Sequence, residues 1–220
     1  DWLPPLLRAV AIALLAVAAA RPQHVSGETR NSTEGIAIQL VVDRSGSMNE
    51  PMIASGQETP KIDVVRDVVA RFVTGDGDRL KGRPGDLIGL IAFARFADTV
   101  CPLVRGHEAL AELAEGLETV KYRAEDGTAI GEALAVAAAR LKNAEQEIAR
   151  TAADGAQPDF TIKGKAIIIL TDGVNNAGRI RPLEAAALAR EWGIRIYVVG
   201  IGGGGRYMTF NGRRVPIGGG

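Results

Sequence analysis

An apolar run, Gly35-Ile36-Ala37-Ile38-Gln39-Leu40-Val41-Val42, ends abruptly in Asp43-Arg44-Ser45-Gly46-Ser47, and this junction constrains the chain more than any other feature. Ile, Leu and Val dominate the run and Gly46 breaks it, which suits a buried strand that hands its last residues to the edge of a sheet. An aspartate and two hydroxyls at every second position can converge on one small cation. Ligation by oxygen alone suits Mg²⁺, Mn²⁺ or Ca²⁺ rather than zinc.

A second apolar run, Lys165-Ala166-Ile167-Ile168-Ile169-Leu170, closes in the same way at Thr171-Asp172-Gly173. Between the two lies Asp126-Gly127-Thr128, at the start of an Ala-rich helical pattern. The intervening segments alternate. Apolar residues at 62, 65, 69, 72 and 73 mark one face of a helix, and residues 86–93 and 97–104 read as a strand and its hairpin partner. Helices are expected over 107–117, 128–142 and 182–192, and a strand over 194–201. Residues 51–60 read as a polar loop and 143–163 as a surface excursion, and no further strand or helix is legible after Gly202.

Such alternation implies an α/β fold with a parallel sheet. Loops that follow the carboxyl ends of neighbouring strands in such a sheet share one edge, where ligands bind. Asp43, Ser45, Ser47 and Asp172 are therefore candidate ligands of a single cation, and Thr128 joins them if the loop before its helix lies over the same edge. Each also has a simpler reading as a turn former or helix cap. A Mg²⁺ ion needs six near-octahedral oxygens and keeps waters readily, so at least one position should stay open to an acidic partner.

The three elements, in this order, resemble the metal-ion-dependent adhesion site (MIDAS) of von Willebrand factor A (VWA) domains. The surrounding residues, including Ala20-Arg21-Pro22-Gln23 after an apolar segment, are most similar to the membrane-anchored A-domain proteins of the bacterial aerotolerance (Bat) family, over roughly residues 9–217. The resemblance implies a Rossmann-like VWA fold, a central mostly parallel sheet flanked by helices. It also implies Mg²⁺ as cofactor, with Mn²⁺ or Ca²⁺ as alternatives, and a partner protein whose Asp or Glu carboxylate completes the coordination. A MoxR-type AAA+ ATPase and other Bat-like proteins are the partners it suggests, in a stress-tolerance or envelope complex of the bacterial inner membrane with the domain on the periplasmic side.

Composition narrows the alternatives. A chain of 220 residues at 46% hydrophobic can bury one sizeable core and carry an appendage. Basic and acidic residues balance at 26 each, which gives nucleic acid no electrostatic footing. The single cysteine, Cys101, reads as a small core residue, and His24 and His107 read as surface polarity. Residues 1–21 read as a transmembrane segment, the end of a longer anchor, although the uninterrupted stretch from Ala9 to Ala20 is shorter than the ~20 residues of a span. A secretory signal is the alternative, without a leading charged region to support it. Residues 22–34 form a linker in this reading, and 35–217 the VWA domain, cut short at its C-terminal end.

No catalytic activity is expected. A Mg²⁺-dependent phosphohydrolase of the haloacid dehalogenase type would resemble Asp-x-Asp after the first strand, and Ser45 occupies the second acidic position here. A chelatase-type subunit and an extracellular adhesin are the alternatives among A-domains. The membrane segment disfavours the first and the lack of cysteine pairs the second.

Overall fold

The computed structural model describes residues 2–19, 33–77, 79–154, 158–202, 207–210 and 213–216. The apolar run that opens the sequence forms β1 (Thr33–Asp43), flanked on one side by β4 (Leu87–Phe93) and on the other by β6 (Phe160–Thr171). β7 (Ile194–Gly200) follows β6, and these four strands are parallel. β5 (Ala97–Val104) lies antiparallel on β4 at one margin, and β8 (Tyr207–Phe210) and β9 (Arg213–Pro216) extend the other. The result is a mostly parallel sheet of seven strands, in the order β5-β4-β1-β6-β7-β8-β9.

Helices cover both faces. α2 (Lys61–Thr74) and α3 (His107–Glu115) pack on one face against Ile38, Leu40, Val42 and Leu90. α4 (Ile130–Ala153) and α5 (Pro182–Glu191) pack on the other, against Ala37, Val41, Ile167 and Ile169. β1 therefore serves two cores by simple alternation. Fully buried residues such as Leu40 and Ile169 would each lose about 2–5 kcal/mol on truncation to alanine. A bulge between Gly35 and Ile36 lets β1 stay in register with β6, and Gly35 is required there because a Cβ would run into the Gly85 carbonyl oxygen.

Several expectations are corrected. The polar stretch 51–60 is a β-hairpin, β2 (Pro51–Ala54) with β3 (Gln57–Pro60), turned by Ser55 and Gly56 at positive φ. The excursion expected over 143–163 is largely regular. α4 continues to Ala153 through good helix formers such as Ala, Glu, Gln and Arg, and β6 begins at Phe160. The glycine-rich tail holds the two short strands β8 and β9. His107 is buried, with Nε2 at 3.0 Å from the Asp86 carbonyl, whereas His24 lies outside the described residues. Cys101 is buried as expected, and burial pushes its thiol pKa up.

The N-terminal residues form a separate unit, described by itself. Its helix, α1 (Leu3–Ala19), has 17 residues and carries Pro4 and Pro5 in its first turn. At 1.5 Å per residue it reaches about 25 Å, less than the ~30 Å hydrocarbon layer. Among the described residues no helix is long and apolar enough to cross a membrane, so the transmembrane reading of residues 1–21 finds an apolar helix but no span.

Candidate metal centre

β1 lies where the strand order turns. The chain leaves it toward β4 on one side and returns to β6 on the other, which opens a crevice at the carboxyl ends of these strands. Asp43 is the last residue of β1 and Thr171 the last of β6. Alternation puts Asp43 in the row of Ala37 and Val41, and Thr171 in the row of Ile167 and Ile169, so both side chains lie on the α4 side of the sheet. There the Thr171 hydroxyl donates to Asp43 Oδ2 at 2.6 Å, and the Ser45 amide donates to Oδ1 at 2.8 Å. Burial is the largest influence on Asp43 and pushes its carboxyl above the ordinary range. The hydrogen bonds from Thr171 and Ser45 pull it down, and the charge of Asp172 adds a smaller upward push.

After Asp43 the chain makes a single 3-10 turn over Gly46–Asn49. Ser45 occupies the N-cap position, yet its side chain makes no capping bond. Its Oγ lies instead 3.1 Å from Ser47 Oγ, and the Ser47 hydroxyl donates to Asp172 Oδ1 at 2.8 Å. Thr128 likewise caps nothing, because the N-cap of α4 is Ala129. Thr128 is buried, and its Oγ1 lies 3.3 Å from the point where a Cβ on Gly173 would stand. The capping roles open to Ser45 and Thr128 from sequence are thus not the ones they take.

The loop carrying Thr128 is pinned to both of its neighbours. Asp126 Oδ1 accepts from the Gly46 amide and from the Gly127 amide, each at 2.9 Å. On the other side the Thr128 amide donates to Asn176 Oδ1 at 2.8 Å and the Asn176 amide to the Thr128 carbonyl at 3.1 Å. Gly127 adopts φ +140°, which favours glycine at this tight junction. Asn175 accepts from the Gly131 amide at 3.3 Å, at the start of α4.

Residues beyond the five candidates complete the cluster. Lys61, the first residue of α2, extends its ammonium to Asp172 Oδ2 at 2.8 Å and to Glu50 Oε2 at 2.6 Å, with the Ser47 carbonyl at 3.4 Å. Burial works against the Lys61 charge, but hydrogen bonds to Asp172 and Glu50, with their charges, outweigh it and hold the ammonium above its ordinary range. Lys61, Thr171 and Asp126 carry no ligand spacing that would have singled them out. A lysine directly after Pro60, where the helix dipole disfavours a cation, is the one irregularity the sequence offers.

The donor set is chemically consistent with a small hard cation. Adjacent oxygens of an octahedral Mg²⁺ shell at 2.0–2.1 Å stand about 2.9 Å apart, close to the Ser45–Ser47 separation. The Ser47 proton is directed at Asp172, which leaves oxygen lone pairs free to face a cation. Among the described residues no group of three or more His, Cys, Asp or Glu side chains could hold a metal, so a centre here depends on hydroxyls.

The family model of the von Willebrand factor type A domain matches residues 37–209 of this chain. An uncharacterized protein of Borreliella burgdorferi is 25% identical over 193 residues, covering 88% of this chain and 48% of the relative, so the chain spans about half the length of that curated protein. Among solved structures, BatB from Bacteroides thetaiotaomicron is 26% identical with a TM-score of 0.55, covering 83% of this chain and 75% of that one. An aerotolerance-related membrane protein from Bacteroides fragilis is 22% identical with a TM-score of 0.54, at 83% and 81% coverage. Proximal thread matrix protein 1 of the mussel byssus, solved with a zinc-occupied MIDAS motif, is 22% identical with a TM-score of 0.52, at 79% and 37% coverage. With a family match over most of its length, on an α/β fold with the open edge described above, the chain belongs to the von Willebrand factor type A domain family.

Proposed function

We propose that this VWA domain is a non-catalytic binding module that holds Mg²⁺ at Asp43, Ser45, Ser47, Thr128 and Asp172 and recognises a carboxylate on a partner protein. The observation that carries the reading is the closure of three separate loops into one oxygen-rich cluster at the carboxyl ends of β1 and β6. A bound cation would supply a positive centre with an open position for an anionic ligand. The protein's own residues do the rest. Thr171 and the Ser45 amide fix Asp43, Ser47 and Lys61 fix Asp172, and Asp126 and Asn176 fix the Thr128 loop.

The similarity to BatB and to an aerotolerance-related membrane protein supports a place in a bacterial envelope or stress-tolerance complex. Other Bat-like proteins and a MoxR-type AAA+ ATPase are the candidate partners in that reading. The exposed apolar residues of α1, among them Leu3, Leu7 and Ile12, support a membrane-facing N-terminal segment, with residues 1–21 as anchor, 22–34 as linker and 35–217 as the domain on the periplasmic side.

Calorimetric titration of the chain in detergent with Mg²⁺ and Mn²⁺ tests the proposal, run beside Asp43→Ala and Asp172→Ala. One binding site, lost in both variants, is the expected result. Binding that survives unchanged in both variants would remove the assignment.

A further inference from the structure

Lys61 is placed against the preferences of its own helix. It is the first residue of α2, where the exposed amides and the dipole favour an acid and disfavour a cation. It is also 9% exposed, a degree of burial that lysine tolerates only when paired. Its pairing is to the cluster. The ammonium meets Asp172 Oδ2 on its inner side and the exposed Glu50 on its outer side. The stem is also confined. At Gly202, just beyond β7, a Cβ would stand 3.1 Å from Lys61 Cε, and φ there is +107°, so the chain crosses the lysine at a residue without a side chain.

Three elements thus hold one ammonium against one of the two inner carboxylates. From this geometry we propose that Lys61 is a built-in countercation of the metal centre, which weakens metal binding by the domain alone and couples it to an anionic ligand. The inference rests on the Mg²⁺ reading above and concerns the regulation of that same site. The charges decide it. Asp43 and Asp172 supply two negative charges inside the cluster and Lys61 returns one positive charge, while the charge of Glu50, whose side chain is 66% exposed, is screened by solvent, so a divalent ion leaves the inner centre with one positive charge in excess. One carboxylate from a partner cancels that excess. Without Lys61, the ion and the two aspartates would already balance, and an external anion would gain little. The same ammonium ties the Asp172 loop to the Ser47–Glu50 segment, through Asp172 Oδ2, the Ser47 carbonyl and Glu50 Oε2.

The test is a Mn²⁺ titration of the 220-residue chain in detergent, with and without acetate as the carboxylate probe, for wild type, Lys61→Met and Lys61→Arg. Loss of a fixed positive charge this close to the centre should tighten Mn²⁺ binding at least ~10-fold in Lys61→Met, while Lys61→Arg stays near wild type. Acetate should tighten Mn²⁺ binding to wild type and leave Lys61→Met within about two-fold. Metal-free Lys61→Met should melt below wild type, and saturating Mn²⁺ should close the gap. If Lys61→Met does not fold, Lys61→Gln, which keeps a donor toward Asp172 without the charge, takes its place. Wild-type binding with no tightening in the folded neutral variant overturns the countercation role and leaves the metal reading standing. No Mn²⁺ binding by wild type or by the neutral variant, with or without acetate, overturns both.

Discussion

Asp43 and Asp172 are the same residue at the ends of adjacent strands, both nearly hidden from solvent, and they are held in opposite ways. Asp43 is gripped by neutral donors, a threonine hydroxyl and a backbone amide, which fix its orientation and leave its charge uncompensated. Asp172 is gripped by a serine hydroxyl and an ammonium, so its charge is largely cancelled. The contrast separates two tasks within one cluster. Asp43 supplies the net negative charge that would attract a cation, and Asp172 supplies an oriented carboxylate at little electrostatic cost. Burial, with no adjacent cation to oppose it, raises the Asp43 carboxyl above the ordinary range.

The two aspartates should therefore respond differently to substitution when no metal is present. Asp172→Ala strands the Lys61 ammonium, whose side chain is 11% exposed, with only the exposed Glu50 left to pair it. A loss of about 2–4 kcal/mol in urea unfolding with chelator present is expected. Asp43→Asn replaces an uncompensated carboxylate by a neutral amide of the same shape and should change stability by about 1 kcal/mol or less. Equal losses in the two variants would erase the distinction. Thr171→Val comes next in size. It removes the hydroxyl that donates to Asp43 and accepts from the Gly173 amide at 3.2 Å, and about 1–2 kcal/mol should be lost in the same assay.

The core strands and the five candidate ligands were legible in the sequence because each rests on a local pattern. β1, β4, β6 and β7 contain continuous or near-continuous apolar runs, and two of the loops follow such runs directly. The β2–β3 hairpin was not legible, since Pro51–Ala54 and Gln57–Pro60 face solvent on most positions and carry no apolar alternation. The first part of β6 escaped for a similar reason: Thr161, Lys163 and Gly164 interrupt the run that becomes continuous only after Lys165. Lys61 and Asp126 escaped because their roles depend on the reach of a side chain across loops far apart in sequence, from α2 to Asp172 and from the Thr128 loop to Gly46.

Asp126 offers a milder probe of the cluster, since it orients a loop without belonging to the proposed ligand set. Asp126→Ala frees the Gly46 and Gly127 amides at a partly exposed position, where water can replace the lost acceptor, and about 1 kcal/mol of stability should go. A several-fold weaker Mn²⁺ affinity should accompany it, read by calorimetry. An unchanged affinity would mean that the remaining contacts, those of Asn176, Arg95 and Ala94, suffice to position the Thr128 loop.

The smallest expected effect tests the contrast at its origin, through pH. An acid whose folded pKa lies above its unfolded value binds its proton more tightly in the native state, so its stabilising contribution is full below the unfolded pKa and is lost as pH rises through the folded one. Asp43 is such a group in the metal-free protein. With chelator present, wild type should lose stability relative to Asp43→Asn as pH climbs from the ordinary carboxylate range through the raised Asp43 value. Urea midpoints of the two proteins, measured in parallel over that interval, give the difference directly and cancel the titrating groups that are not coupled to Asp43. Saturating Mg²⁺ should reverse the trend, because a cation favours the ionised carboxylate and the asparagine variant cannot respond. A difference that is flat with pH in chelator would show that Thr171 and the Ser45 amide compensate Asp43 fully, and the two aspartates would then differ in their partners but not in their charge.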